Sequence, residues 1–159
     1  PEVQPIGLGA RNALRLEAGL CLYGNDIDAT TTPVEASLNW ALQKVRRTGG
    51  ARAGGFVGAD KVMAQLDGSE AVTRLRVGLV GLERIPVREH VALHNEQGQA
   101  IGEVTSGLLA PTIDQPVALA YVEAAYAALG TRLNAMVRGK PTPMVVSPLP
   151  FVPHRYHRG

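Results

Sequence analysis

The side chains best suited to chemistry in this chain are Arg11 and Arg15, four residues apart, with Glu17 just beyond them. All three lie in the stretch from Gly7 to Asp28, GLGARNALRLEAGLCLYGNDID. On a helix this spacing puts both guanidiniums on one face, where they repel mildly. A flat guanidinium can bond an anion bidentately and stack on a π system, so such a face suits an anionic or ring-bearing ligand. The same pattern fits arginines that are solvated or paired with acidic side chains. Spacing alone does not choose.

The other reactive residue types form no strong constellation. Cys21 lies between Leu20 and Leu22 with no positioned histidine near it, which reads as a small buried hydrophobe rather than a nucleophile. His90 and His94 are four apart in a predicted strand region, and His154 and His157 are in the tail. Surface histidines fit better than a zinc site, which needs a Cys/His cluster, and no metal ligand is assigned. Gly49-Gly50 and Gly54-Gly55 lack the strand and helix around a nucleotide loop. The string GEVTSG at Gly102–Gly107 has no lysine after its second glycine and reads as a hairpin bend or bulge. Asp26, Asp28 and Glu35 read as turn and capping residues. No catalytic residue is assigned.

The chain has 159 residues, 45% hydrophobic and 19% charged, with a formal net charge of +2. That is a globular composition, with a core of useful size and neither fibrous nor disordered character. Nucleic acid is excluded as a partner because basic residues do not cluster; the one adjacent pair, Arg46-Arg47, reads as a solvated strand end. No run approaches the ~18 apolar residues of a membrane span, and no basic-then-apolar leader opens the chain. A single cysteine precludes an internal disulfide and fits a reducing compartment. Pro1 in place of a start methionine fits a processed or excised piece.

The elements that must position these residues follow from periodicity. Residues 9–18 predict a helix, closed by Gly19 in a left-handed cap, with a turn at Gly24-Asn25-Asp26. Thr32, Pro33 and Glu35 spell a capping box that starts a short helix. Leu38, Trp40 and Leu42 then alternate with polar or small residues, which predicts a strand with Trp40 inward. Residues 46–55 read as a loop and 58–65 as a second helix. After Asp67-Gly68 short β runs recur between Gly/Pro turns, at 74–82, 91–95, 100–106, 117–122, 133–137 and 144–146, which predicts a barrel or sandwich. The fold class is therefore α+β. Residues 1–66 have too few strands for a stable sheet and should lean on a small antiparallel β domain spanning 67–159.

The opening stretch, followed by TTPVEASLNWALQKVR at 31–46, GEVTSG at 102–107 and PLPFVP at 148–153, resembles the aminomethyltransferase (T-protein) family of the glycine cleavage system over essentially the whole chain. The resemblance implies a remnant of a folate-binding α/β region followed by a jelly-roll-like β-barrel. It also implies transfer of the methylene of an aminomethyl group, carried on the lipoyl arm of the H-protein, to tetrahydrofolate with release of ammonia. Arg11 matches the family's folate-contacting arginine. Tyr156, three residues after PFVP, matches its folate-contacting tyrosine. The family's essential aspartate and a pterin-holding glutamate have no counterpart here. The chain therefore resembles a C-terminal part, expected to be inactive alone, with a cytoplasmic, bacterial-type location. One alternative is a non-catalytic folate-binding module like the C-terminal domain of sarcosine or dimethylglycine oxidoreductases. Another is an inactive β domain whose exposed apolar surface self-associates.

Overall fold

A computed structural model describes residues 2–157. Two helices, α1 (Leu8–Glu17) and α2 (Ala59–Asp67), precede six strands: β1 (Arg74–Gly81), β2 (Ala92–His94), β3 (Ala100–Ala110), β4 (Gln115–Glu123), β5 (Arg132–Val137) and β6 (Lys140–Ser147). The strands pair antiparallel in the order β1-β4-β3-β2-β5-β6, and β6 returns to β1 to close a barrel. Closure removes the open sheet edges that would template aggregation. The α+β class and the barrel thus agree with the sequence, and each predicted β run from residue 74 onward overlaps a strand.

Alternation packs the barrel. Leu79, Leu93, Val104, Leu133 and Met144 point inward with essentially no exposure and form one core cluster. β3 carries a bulge between Val104 and Ser106. An extra residue there leaves Thr105 unpaired in the ladder and re-aims it outward. The bulge expected within GEVTSG is present, and it sets up the contact described below.

The helical part rests on the barrel through Leu16, which is buried against Ala110, Val117 and Leu119 of β3 and β4. α1 ends in a Schellman motif: Gly19 takes φ +70°, its N–H bonds Leu16 O at 2.9 Å, and Leu20 N–H bonds Arg15 O at 2.8 Å. The capping box also forms, with Glu35 N–H donating to Thr32 Oγ1 and Thr32 N–H to Glu35 Oε2, both at 3.1 Å. It closes a single turn rather than a helix. Thr32 Oγ1 then donates to Gln65 Oε1 at 2.7 Å and ties that turn to α2.

Two further sequence expectations are corrected in this region. Leu38–Leu42 is not a strand; Asn39–Ala41 is one 3-10 turn, and Trp40 is 79% exposed. Alternation over five residues has no force where no neighbouring strand offers a ladder. Arg46 and Arg47 are not a solvated strand end either. Arg46 Nη1 donates to Gly54 O at 3.1 Å, and Arg47 bonds the carbonyls of Leu42 (3.0 Å) and Asn39, so the pair staples the loop. Before residue 68 the only β pairing among the described residues is an isolated bridge between Tyr23 and Ile27.

Candidate functional site

The two arginines that sequence spacing could not separate have different fates. Arg15 is consumed. Its Nη1 contacts Asp26 Oδ2 at 2.6 Å, and its Nη2 donates to Ser106 Oγ at 2.9 Å. Asp26 Oδ2 also accepts the Leu22 N–H at 2.8 Å, and Oδ1 accepts the hydroxyl of the bulged Thr105 at 2.6 Å. Tyr121 of β4 donates its hydroxyl to Asp26 O at 2.8 Å. Asp26 is thus more than a turn residue: it is a fully buried hub joining α1, the 24–26 turn, β3 and β4. Its side chain has no exposure. Burial pushes the Tyr121 phenol up to about 12, aided by the Cys21 charge and opposed by Arg76. Burial likewise raises the Cys21 thiol, which suits a packing role better than a nucleophilic one.

Arg11 is exposed on the first half of α1 and makes no side-chain hydrogen bond or ion pair among the described residues. It lies three residues before Leu14 and seven before Ala18, on one stripe of the helix. Leu14 and Ala18 line a cavity of about 380 Å³ together with Glu17, Thr112 and the tail residues 152–156, including Tyr156. Arg11 is not among the lining residues. Tyr156 is 60% exposed and stacks on His154 with ring centroids 4.8 Å apart.

The tail reaches this position because the end of α1 receives it. Val152 N–H donates to Glu17 O at 3.1 Å, and His154 Nε2 lies 3.2 Å from Ala18 O. Those carbonyls belong to the last turn, where a helix leaves acceptors without internal partners. Upstream, Leu149 lies so close to Gly19 that a Cβ there would sit 3.2 Å from it. A larger residue at the helix cap would therefore press against the tail.

No group of three or more His, Cys, Asp or Glu side chains is placed to hold a metal ion among the described residues. His90 Nδ1 instead meets Glu103 Oε1 at 3.0 Å on the surface. Asp28 sits in a local turn, accepting from Thr30 and Thr31, and Glu35 is engaged in capping, as the sequence suggested. What sequence reasoning missed is the Arg15–Asp26 pair and the hold of Glu17 on Thr112, whose N–H and Oγ1 donate to its two carboxylate oxygens at 2.8 and 2.7 Å. Both join residues whose proximity only the fold creates. No helix among the described residues is long and apolar enough to cross a membrane.

These features define a class: a closed antiparallel barrel carrying a helical arm, with the C-terminal tail folded back onto the arm's first helix. Residues 74–153 match the glycine cleavage T-protein C-terminal barrel domain, and residues 1–46 match the GCVT N-terminal domain. The chain belongs to the glycine cleavage T-protein family. It is 51% identical over 157 residues to the mitochondrial aminomethyltransferase of Mus musculus and 50% identical to that of Homo sapiens, covering 99% of this chain and 37% of each relative. The glycine cleavage system aminomethyltransferase T from Bartonella henselae superposes with a TM-score of 0.87 at 44% identity, over 96% of this chain and 41% of that one. The chain thus spans well under half the length of these relatives. The cytoplasmic location expected from the sequence is corrected by the curated relatives, which are mitochondrial enzymes.

Proposed function

We propose that this chain is the C-terminal part of an aminomethyltransferase of the glycine cleavage system. Residues 1–66 would complete a folate-binding region and residues 67–159 its barrel domain. The whole enzyme transfers the methylene of the aminomethyl group on the lipoyl arm of the H-protein to tetrahydrofolate, releasing ammonia. The named relatives are aminomethyltransferases, which favours this reading over a non-catalytic folate module. Leu8, Leu20 and Trp40 stand exposed on the helical arm, apolar surface of the kind a larger domain would cover.

The observation that carries the reading is the return of the tail to α1, which sets the Tyr156 ring on the helix that bears Arg11. The cavity at Tyr156, about 380 Å³, lies within the range of roughly 300–1,000 Å³ typical of ligand pockets. Its aromatic rim and apolar helix wall suit a flat ring. The uncommitted guanidinium one turn away suits a carboxylate or the ring's acceptor atoms. Arg11 and Tyr156 bind and orient the folate substrate, and such positioning supplies much of the rate in a two-carrier transfer. Proton handling at the departing amine falls to a group outside these 159 residues.

Calorimetric titration of tetrahydrofolate into the chain tests this. Arg11→Ala and Tyr156→Ala should each weaken binding about tenfold, the equivalent of one charge-assisted contact or one stacked ring. Equal heats for wild type and Arg11→Ala would remove Arg11 from the site. Methylene-tetrahydrofolate formation by the purified chain would overturn the placement of the proton-handling group elsewhere.

A further inference from the structure

Glu17 breaks two rules at once. It is the last residue of α1, the negative end of the helix dipole, where a carboxylate is disfavoured. It is also only 3% exposed, and no cation forms an ion pair with it among the described residues. A buried, unpaired carboxylate is costly unless hydrogen bonds replace its water. A single residue provides them: Thr112, in the turn between β3 and β4, donates its N–H to Oε1 at 2.8 Å and its hydroxyl to Oε2 at 2.7 Å. A leucine here would pack on the barrel without these costs. Departures of this kind from local rules concentrate where function requires them.

The backbone shows what the carboxylate secures. Glu17 O accepts the Val152 N–H, and the next carbonyl, Ala18 O, faces His154 Nε2. Glu17, Thr112, Leu14, Ala18 and Tyr156 line the same cavity. Three segments therefore meet at one residue: the helix that bears Arg11, the barrel turn, and the tail that bears Tyr156.

We propose that Glu17 is a positioning residue for this site. Its carboxylate fixes the last turn of α1 on Thr112, which holds the Glu17 and Ala18 carbonyls where they dock the tail and place Tyr156 at the cavity. Two donors converge on one side chain, so both terminal atoms must accept. Glutamine offers only one accepting atom and aims an N–H at a donor. The inference rests on the reading of Tyr156 as a folate contact, and its test separates the two.

The test variant is Glu17→Gln, with Thr112→Ala as a milder second variant that removes one donor should Glu17→Gln fail to fold. Amide hydrogen exchange followed by NMR reports the tail directly. Exchange at Val152 should accelerate about tenfold, the scale of losing one of the Thr112 bonds to the Glu17 carboxylate, while Leu119 in the barrel core keeps its protection. Tetrahydrofolate affinity should fall several-fold. In the Tyr156→Ala background the same substitution should cost nothing further, because Glu17 acts only through the tail. Unchanged exchange at Val152 overturns the proposal, and so do additive affinity losses in the double variant. If Tyr156→Ala binds folate as well as wild type, the folate reading of Tyr156 falls, and Val152 exchange alone decides whether Glu17 holds the tail.

Discussion

Replacing Asp26 with alanine should be among the most damaging single changes in the helical arm. The side chain has no exposure, and the Arg15 side chain facing it is 14% exposed. Alanine would leave the guanidinium with Ser106 Oγ and, at 3.4 Å, Leu20 O, and would strand the Leu22 N–H, while Thr105 Oγ1 would keep Leu119 O at 3.1 Å as its acceptor. Breaking a buried ion pair by removing one partner costs about 3–5 kcal/mol. The stranded amide costs about 1–3 kcal/mol, but water entering the vacated space recovers part of that, so the two figures do not add. A loss of about 3–5 kcal/mol is severe against the roughly 5–15 kcal/mol that stabilises a whole domain. Asp26→Asn keeps the volume and one acceptor and should cost about half as much. Urea unfolding followed by far-UV circular dichroism reads these losses as shifts in midpoint at constant m-value. The pair also predicts non-additivity. In Arg15→Met/Asp26→Ala the charge that alanine alone would strand is gone, so the double variant should be more stable than the sum of the single losses. A loss below about 1 kcal/mol for Asp26→Ala, or strict additivity in the double variant, would refute the view that a desolvated ion pair joins arm to barrel.

Gly102→Ala should disrupt the barrel, because the new Cβ would lie 2.1 Å from Tyr121 O and 2.9 Å from Val122 Cα, both backbone atoms of the paired strand. Thermal unfolding should show a loss of about 3 kcal/mol or more; Gly98→Ala, at φ +80° but in open space, should lose only about 1 kcal/mol. Tyr121 makes stability fall at high pH. Its phenol is raised from 10.0 to about 12 in the folded chain, so the folded state favours the protonated form. That contribution is complete below pH 10 and is lost as pH rises toward about 12. Tyr121→Phe should flatten the stability profile in that window, and an unchanged profile would exclude Tyr121 as its source.

The barrel was legible because its signal is local. Runs such as Leu75-Val77-Leu79 alternate between Gly/Pro turns, and β1 is where that pattern places it. The same two-residue period misled at Leu38–Leu42, because alternation records a half-buried strand only where a neighbouring strand exists. The α1 cap and the Thr32–Glu35 box were legible for the same reason as the barrel: both are closed within six residues or fewer. Asp26 was not. Its partners lie 11 residues away at Arg15 and 79 away at Thr105, and the bulge that aims Thr105 depends on how β3 registers against β4. A turn aspartate and a buried hub aspartate look alike until the chain between them is folded.

The same long-range pairing decides which arginine can serve a ligand. At i, i+4 spacing Arg11 and Arg15 are equivalent, and only the partner distinguishes them. A guanidinium already neutralised by Asp26 and bonded to Ser106 has little left for an anion, and pulling it away would strand a buried carboxylate. Arg11 has no such debt, since its charge remains in solvent and its side chain is free to reorient. The buried pair fixes α1 on the barrel, and Arg11, one helical turn nearer the N-terminus, is carried in register with the tail that docks at the helix's other end. Rigid support beneath an uncommitted cation is the arrangement a binding arginine needs, because the helix is ordered before any ligand arrives and binding need not supply that ordering.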